Sequence, residues 1–428
     1  MRRRTFAAAL AVAAVTASAA CGTDTPAPAA QGGQGGQLTV WLMNGDLSDK
    51  ATAAINAAFE KATGAKVTVR IQEWDNINTK ISTALAQDDT PDVIEIGNTN
   101  VPLFAANGAL TDLTPHRDEL AGKNTWLPGL AGPATVDGNL YGAPLFAGNR
   151  AVIYDKQVWA DAGITAPPKT FQELTQDLDK IKAKHPAADY SAFHFPGRYW
   201  YGALQFVWDA GGQLATQKDS KWSGALESPE AQKGLQAWKD FQNTYSSAAS
   251  RNVDTKAPDQ AAIFSAGGAG AILDTSVNTV VKNKPELKDR LGTFPFPSAT
   301  PGKTQPVFLG GSDLVVAAKS RNQDLALAYL KAAASPEVQR EAIVGIDGWT
   351  PVSTELIDEV TPTLAPVNAA FATAAKTSVA TPAAPGWATI ESDKSINTFF
   401  ADIATGRRPI ADAARDFDAH LTEALNAR

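Results

Sequence analysis

Between Leu38 and Ile96 the hydrophobic period changes four times, and this alternation constrains the fold more than any other feature of the chain. Leu38-Thr-Val-Trp-Leu42 reads as a short apolar strand. Ala53 to Ala62 carries Ile55, Phe59 and Ala62 at helical spacing, and Gly64 stops it. Val67, Val69 and Ile71 alternate, as a strand does. Ile77, Ile81 and Leu85 return to the helical period, and Pro91-Asp-Val-Ile-Glu-Ile96 is a third strand. Strand, helix, strand, helix, strand at this spacing predicts parallel strands joined by crossover helices, an α/β sheet.

A second unit opens near Ala151. Ala151 to Tyr154 reads as a strand, and Thr170-Phe-Gln-Glu173 is a capping box that opens a helix. Ser228-Pro229 opens another. Ala269 to Leu273 and Leu314 to Ala318 read as further strands, and Ser320 with Gln323 is expected to cap a helix that runs to about Ala334. From Ser353 onward the pattern is helical with Pro-marked breaks. A length of 428 residues suits two or three such units, and no repeat of 20 to 50 residues is visible.

Charge and cysteine content exclude several functions. Lys and Arg total 38 against 45 Asp and Glu, so there is no cationic surplus to neutralise phosphates, which disfavours nucleic-acid binding. The one cysteine, Cys21, excludes a disulfide framework and a cysteine zinc site. The four histidines are isolated in sequence, so no His-rich metal site and no cofactor is expected.

The N-terminus reads as an export signal over residues 1–20. Arg2, Arg3 and Arg4 precede an apolar run from Phe6 to Val15, too short to span a bilayer. Ser18, Ala19 and Ala20 then lead to Cys21. The pattern resembles a bacterial lipoprotein signal, which implies acylation of Cys21, although Ser18 stands where such signals usually carry Leu. An ordinary secretory signal cut near Ala20 is the alternative. Cleavage leaves 35 basic and 45 acidic residues, a net charge of −10. Residues 21–37 are rich in Gly, Pro, Ala and Gln and read as a flexible tether.

The order of short motifs from Leu38 to the C-terminus resembles the extracellular solute-binding proteins of ABC importers, specifically their carbohydrate-binding group. Thr90-Pro91-Asp92-Val93, the stretch Asp137 to Pro144, Ala151 to Lys156 with Pro167-Pro-Lys-Thr170, Gly267 to Leu273, Gly310-Gly-Ser312 and Thr350-Pro351 carry the likeness. The resemblance implies two α/β lobes joined by three crossings, a type II periplasmic-binding-protein fold with ligand held between the lobes. Lobe one is expected at 38–147 and 308–348, lobe two at 148–307 and 349–428. It also implies a carbohydrate ligand, permease subunits as partners, a monomer, and a place at the outer face of the cell membrane.

A sugar offers hydroxyls around its rim and C–H groups on its faces, so its site needs aromatic planes and planar polar groups. Of the ten tryptophans, Trp41, Trp159 and Trp238 lie in strand or helix patterns and read as core. Trp74, and Trp200 with Tyr201, lie in or beside loops and are candidates for either cleft or core, while Trp349 and Trp387, also in loops, are expected in the cleft first. Ligands of open α/β sheets bind beyond strand C-termini, where Asn44, Asp46, Asn98 and Asn100 follow strands. Asp274 follows another, and Gly311 and Ser312 offer backbone and hydroxyl. Arg150 sits at the first crossing, either binding vicinal hydroxyls or forming a salt bridge across the hinge. Val277 stands where maltose-binding members carry a stacking Trp, which favours a mono- or disaccharide over long dextrins. Gly267 to Gly270 lacks the Lys-Ser/Thr of a phosphate loop and reads as close packing.

These features point to a sugar-capturing protein that performs no chemistry of its own. An exported glycoside hydrolase, a binder of another solute, and a lipoprotein that only docks partners are the alternatives.

Overall fold

A computed structural model of the protein describes residues 36–427. The signal-like head, Cys21 and all but the end of the tether lie outside the described residues. Gly36 and Gln37, read above as tether, belong to the fold: the Gly36 carbonyl accepts the Lys66 N–H at 2.9 Å, and the first strand begins at Gln37.

Strand β1 (Gln37–Met43) runs parallel to β2 (Lys66–Gln72) and β3 (Val93–Gly97). Helices α1 (Asp49–Thr63) and α2 (Ile77–Ala86) make the crossovers. The Ser48 hydroxyl accepts the Ala51 N–H at the start of α1, and Gly64, at φ +71°, ends it. Ala51, Ile55 and Phe59, four residues apart, are its buried face. Two more strands complete the sheet. Gly310–Val316 lies antiparallel between β3 and Ala143–Gly148. The parallel reading therefore covers three strands of five; the other two adjoin the crossings and follow no βαβ unit.

The second lobe centres on an antiparallel sheet in which Ala151–Asp155 lies between Ala271–Asp274 and Leu291–Phe294. Its core is aromatic: Trp159, Phe193, Phe195, Phe206, Trp238 and Phe241 pack with Trp387, Phe400 and Leu421 from the C-terminal helices. Full burial of one such side chain stabilises by about 1.5–3 kcal/mol. The Thr170 hydroxyl caps the helix Phe171–Lys184 by accepting the Glu173 N–H at 3.1 Å. Ser320 does not cap as expected. The helix Gln323–Ala334 starts after Asn322, and the Ser320 hydroxyl is held by the Asp92 carboxylate at 2.6 Å.

The chain passes between the lobes three times, and the three crossings pair with one another. Ala147 and Thr350 exchange two backbone bonds, of 3.0 and 3.1 Å, while on its other side Ala147 pairs with Gly311 and Gly148 with Gly310. Gly311 holds φ +133°, and a Cβ there would lie 2.2 Å from the Phe146 carbonyl oxygen, so only glycine fits. Beneath the crossings Leu127, Leu130, Ala147, Val307, Leu309, Val352 and Ile357 form a small core of their own.

Candidate functional site

The C-terminal ends of β1 and β3 and the three crossings surround a cavity of about 310 Å³, at the small end of ligand sites. Eight of the thirteen ligand-site residues expected from sequence line it: Asp46, Trp74, Asn98, Arg150, Tyr201, Gly311, Ser312 and Trp349.

Asp46, on the loop after β1, organises one wall. Its carboxylate accepts the Trp74 indole N–H and the Ser312 hydroxyl, both at 3.4 Å. Its carbonyl accepts the Trp349 indole N–H at 2.8 Å. Two aromatic planes are thus tied to one residue. Trp74 is 40% exposed and rests over Gly97, where a Cβ would lie 3.5 Å from the ring. Trp349 is half-buried and stacks on Phe146, centroids 4.7 Å apart at 25°. Trp349 is therefore both cavity wall and hinge packing.

Glu95 lies fully buried behind Asp46, its Oε2 accepting the Met43 N–H at 2.8 Å. Burial, and then the neighbouring Asp46, push the Glu95 carboxyl well above its ordinary range; burial also raises Asp46. Two carboxyls this close cannot both ionise cheaply. Burial thus favours the neutral form of Glu95 more strongly than that of Asp46, whose carboxylate lines the cavity.

Arg150 forms the opposite wall. Its Nε donates to the Tyr199 hydroxyl at 2.8 Å, and its guanidinium lies over Tyr201 at 4.5 Å and Phe308 at 5.4 Å. No carboxylate is within ion-pair distance of it among the described residues, so the hinge salt bridge does not form. Its Nη1 is buried without a partner among the described residues. A cation held by aromatic faces, with donors to spare, suits a neutral hydroxyl- or carbonyl-bearing ligand. Burial pushes the Tyr199 and Tyr201 phenols up to about 12, so both stay protonated.

Asn98 spends both amide hydrogens on the Gly129 and Leu309 carbonyls at 2.9 and 3.1 Å, which fixes the end of β3 against a crossing.

Five expected residues lie off the cavity. Asn44 is exposed and donates to Glu73 at 3.1 Å. Asn100 accepts from Asn78 at 3.0 Å. Trp200 (3% exposed) and Trp387 (0%) are core, their centroids 5.7 Å apart in the second lobe. Asp274 turns back to accept the Thr275 N–H at 2.7 Å, and Thr275 lines the cavity instead. Val277 packs in the small core beside Phe371 and offers no platform. Gly270 approaches the Ala192 carbonyl, where a Cβ would lie 3.0 Å away, as close packing requires.

The expectations missed Thr99, Phe146, Phe308 and Glu391, all in the lining. Glu391 stands four residues after Trp387 on the helix Trp387–Ser392, so the two share a face. A carboxylate one turn beyond a buried Trp is the signal that could have found it. Burial pushes Glu391 up to about 7, against the lowering pull of the Thr99 hydroxyl.

The family model described as bacterial extracellular solute-binding protein matches residues 44–340. The chain is similar to the diacetylchitobiose binding protein DasA of Streptomyces coelicolor, 36% identical over 431 residues that cover 99% of both chains. The sugar-binding protein MalE of Xanthomonas citri shares the fold at TM-score 0.79 and 24% identity, covering 91% of this chain and 97% of that one. A solute-binding protein of Thermotoga lettingae bound with α-D-tagatose does so at TM-score 0.71 and 22% identity, over 91% of this chain and 100% of the other. With the two-lobed fold, the paired crossings and the inter-lobe cavity in place, the chain belongs to the bacterial extracellular solute-binding protein family.

Proposed function

We propose that this protein is the sugar-capturing component of an ABC importer, and that its cargo is a short neutral saccharide of the diacetylchitobiose class. One observation carries the reading. The cavity pairs two indole planes, Trp74 and Trp349, with a guanidinium that has no carboxylate partner. Indoles suit sugar C–H faces. The spare donors of Arg150 suit hydroxyl or acetamido oxygens, while Asp46 accepts from hydroxyl or amide hydrogens. The full-length similarity to the Streptomyces coelicolor protein supports that cargo, and the small cavity favours a disaccharide over a long chain.

In this reading the lobes are 38–147 with 308–348, and 148–307 with 349–428. The protein closes on cargo, presents the closed form to its permease as a monomer, and turns nothing over. Cys21 carries a lipid that holds it at the outer face of the membrane. The Arg-headed apolar segment that ends at this one cysteine supports the anchor.

A thermal-shift screen with diacetylchitobiose, cellobiose, maltose and their monomers tests the cargo. A ligand at 100 times its Kd stabilises by about 2.7 kcal/mol, and no shift with any saccharide overturns the reading. Steady release of aryl alcohol from aryl glycosides would favour the hydrolase. Cys21→Ala should release the protein to the medium; a mutant still held at the membrane counts against the lipid.

A further inference from the structure

The inter-lobe cavity is not the largest hollow in the molecule. A second, of about 670 Å³, lies on the second lobe and shares no lining residue with the first. Trp208, at the end of the helix Trp200–Asp209, forms one wall. The hairpin Ala215–Lys218 and Lys221–Gly224 forms another, with Gln217 and Trp222. Thr381 closes the third side.

Two independent observations distinguish this hollow from an ordinary surface dent. Thr381 is 4% exposed, yet its hydroxyl has no hydrogen-bond partner among the described residues. Buried hydroxyls are almost always paired, because an unpaired one costs stability. The hairpin wall is also clamped in place. Asn426 accepts the Trp222 N–H at 3.0 Å and donates to the Trp222 carbonyl at 2.8 Å. Thr422 accepts the Gly224 N–H at 3.0 Å, and Asp418 accepts the Leu226 and Glu227 N–H groups. These three anchors are spaced four residues apart along the C-terminal helix, so one helix face fixes the whole hairpin. The Trp222 ring, half-buried, is presented on a rigid support.

The chemistry of the lining selects the ligand. None of its residues is charged, which removes the means of holding a phosphate, a carboxylate or a peptide terminus. The amides of Gln213 and Gln217 make it too polar for an acyl chain. Indole planes with neutral amides and a waiting hydroxyl match a neutral carbohydrate. We propose that this hollow is a second carbohydrate site, in which a neutral oligosaccharide lies against Trp222 and bonds the Thr381 hydroxyl. The site adds a contact with saccharide outside the transport cleft. Its existence does not depend on which cargo the cleft takes.

Calorimetric titration of the exported chain with diacetylchitobiose, chitotetraose and maltotetraose tests this, taken to about ten millimolar to reach weak sites. The expected result is a second, weaker class of binding that persists in Trp349→Ala and falls at least about tenfold in Trp222→Ala, a change of about 1.4 kcal/mol. Because Trp222→Ala could loosen the hairpin, Thr381→Val serves as the second variant. It keeps the shape, removes only the unpaired hydroxyl, and should weaken the second class without lowering the melting temperature. A single class of binding lost in Trp222→Ala and kept in Trp349→Ala would uphold this site and overturn the cleft assignment. The proposal fails if no sugar shows a class of binding that either Trp222→Ala or Thr381→Val weakens.

Discussion

The Thr99 hydroxyl donates to Glu391 at 2.8 Å, and the two residues belong to different lobes. Thr99 follows β3 in the first lobe, and Glu391 sits on a helix of the second, facing it across the mouth of the cavity. The bond fastens one lobe to the other beside the ligand space.

Burial of Glu391 makes the ligand-free protein sensitive to pH, and the Thr99 bond only moderates the effect. The Glu391 carboxyl is pushed up to about 7 in the fold from an ordinary 4.5. A carboxyl raised on folding stabilises the fold fully below its unfolded value and loses that contribution as pH rises through the folded one. The window is therefore about pH 4.5 to 7. Each pKa unit is worth about 1.4 kcal/mol, and water reaching the carboxyl through the cavity trims the total to on the order of 2 kcal/mol. Melting curves of the wild type should fall relative to Glu391→Gln between pH 5 and 8. Parallel curves would show that Glu391 does not titrate there.

Trp349→Ala should weaken sugar binding by about 2–4 kcal/mol, by analogy with buried aromatic anchors at interfaces, or roughly 30- to 1,000-fold in Kd. Trp349 also stacks on Phe146 and bonds the Asp46 carbonyl, so the sugar-free melting temperature should drop as well. Trp349→Phe separates the two effects. It keeps a plane, loses the N–H, and should recover stability before affinity. Normal affinity in a folded Trp349→Ala protein would rule out a stacking role.

Arg150→Met should cost affinity while leaving stability nearly unchanged. Among the described residues the guanidinium has no carboxylate partner and leaves Nη1 buried and unpaired, so an apolar side chain of similar length relieves a desolvation cost. Its loss also leaves the buried Tyr199 hydroxyl without its donor, a cost of about 1–3 kcal/mol. The opposed terms predict a melting temperature within a few degrees of wild type, with sugar affinity down tenfold or more. A large fall in sugar-free stability with affinity intact would show that Arg150 is structural.

Gly311→Ala should be among the most damaging single substitutions. The added methyl would lie 2.2 Å from the Phe146 carbonyl oxygen at φ +133°. Backbone strain and overlap together place the cost above about 3 kcal/mol. Chemical denaturation of the variant measures it, and a loss under 1 kcal/mol would mean that the crossing shifts freely.

The three parallel strands were legible because they rest on local signals, and the crossings because the order of motifs resembles a family that has them. Period changes mark β1, α1, β2, α2 and β3. Asp46 and Trp74 were legible because each lies just past a strand, and Arg150 and Trp349 because each lies at a crossing that the resemblance implies. Tertiary competition decided the rest. Trp200 and Trp387 look like loop aromatics in sequence, but they pack on each other. Asn44 and Asp274 follow strands as ligand residues do, yet closer partners, Glu73 and Thr275, take their polar atoms. Glu391 escaped because its role depends on Thr99, which is 292 positions away.

The paired crossings have a mechanical consequence. Thr350, Ala147 and Gly311 are joined edge to edge by backbone bonds, so no single crossing can bend without shearing its neighbours. The softest motion left to such a ribbon is a concerted twist along its length. Opening and closing is thereby reduced to one coordinate, with the floor of the ligand cavity serving as its axle.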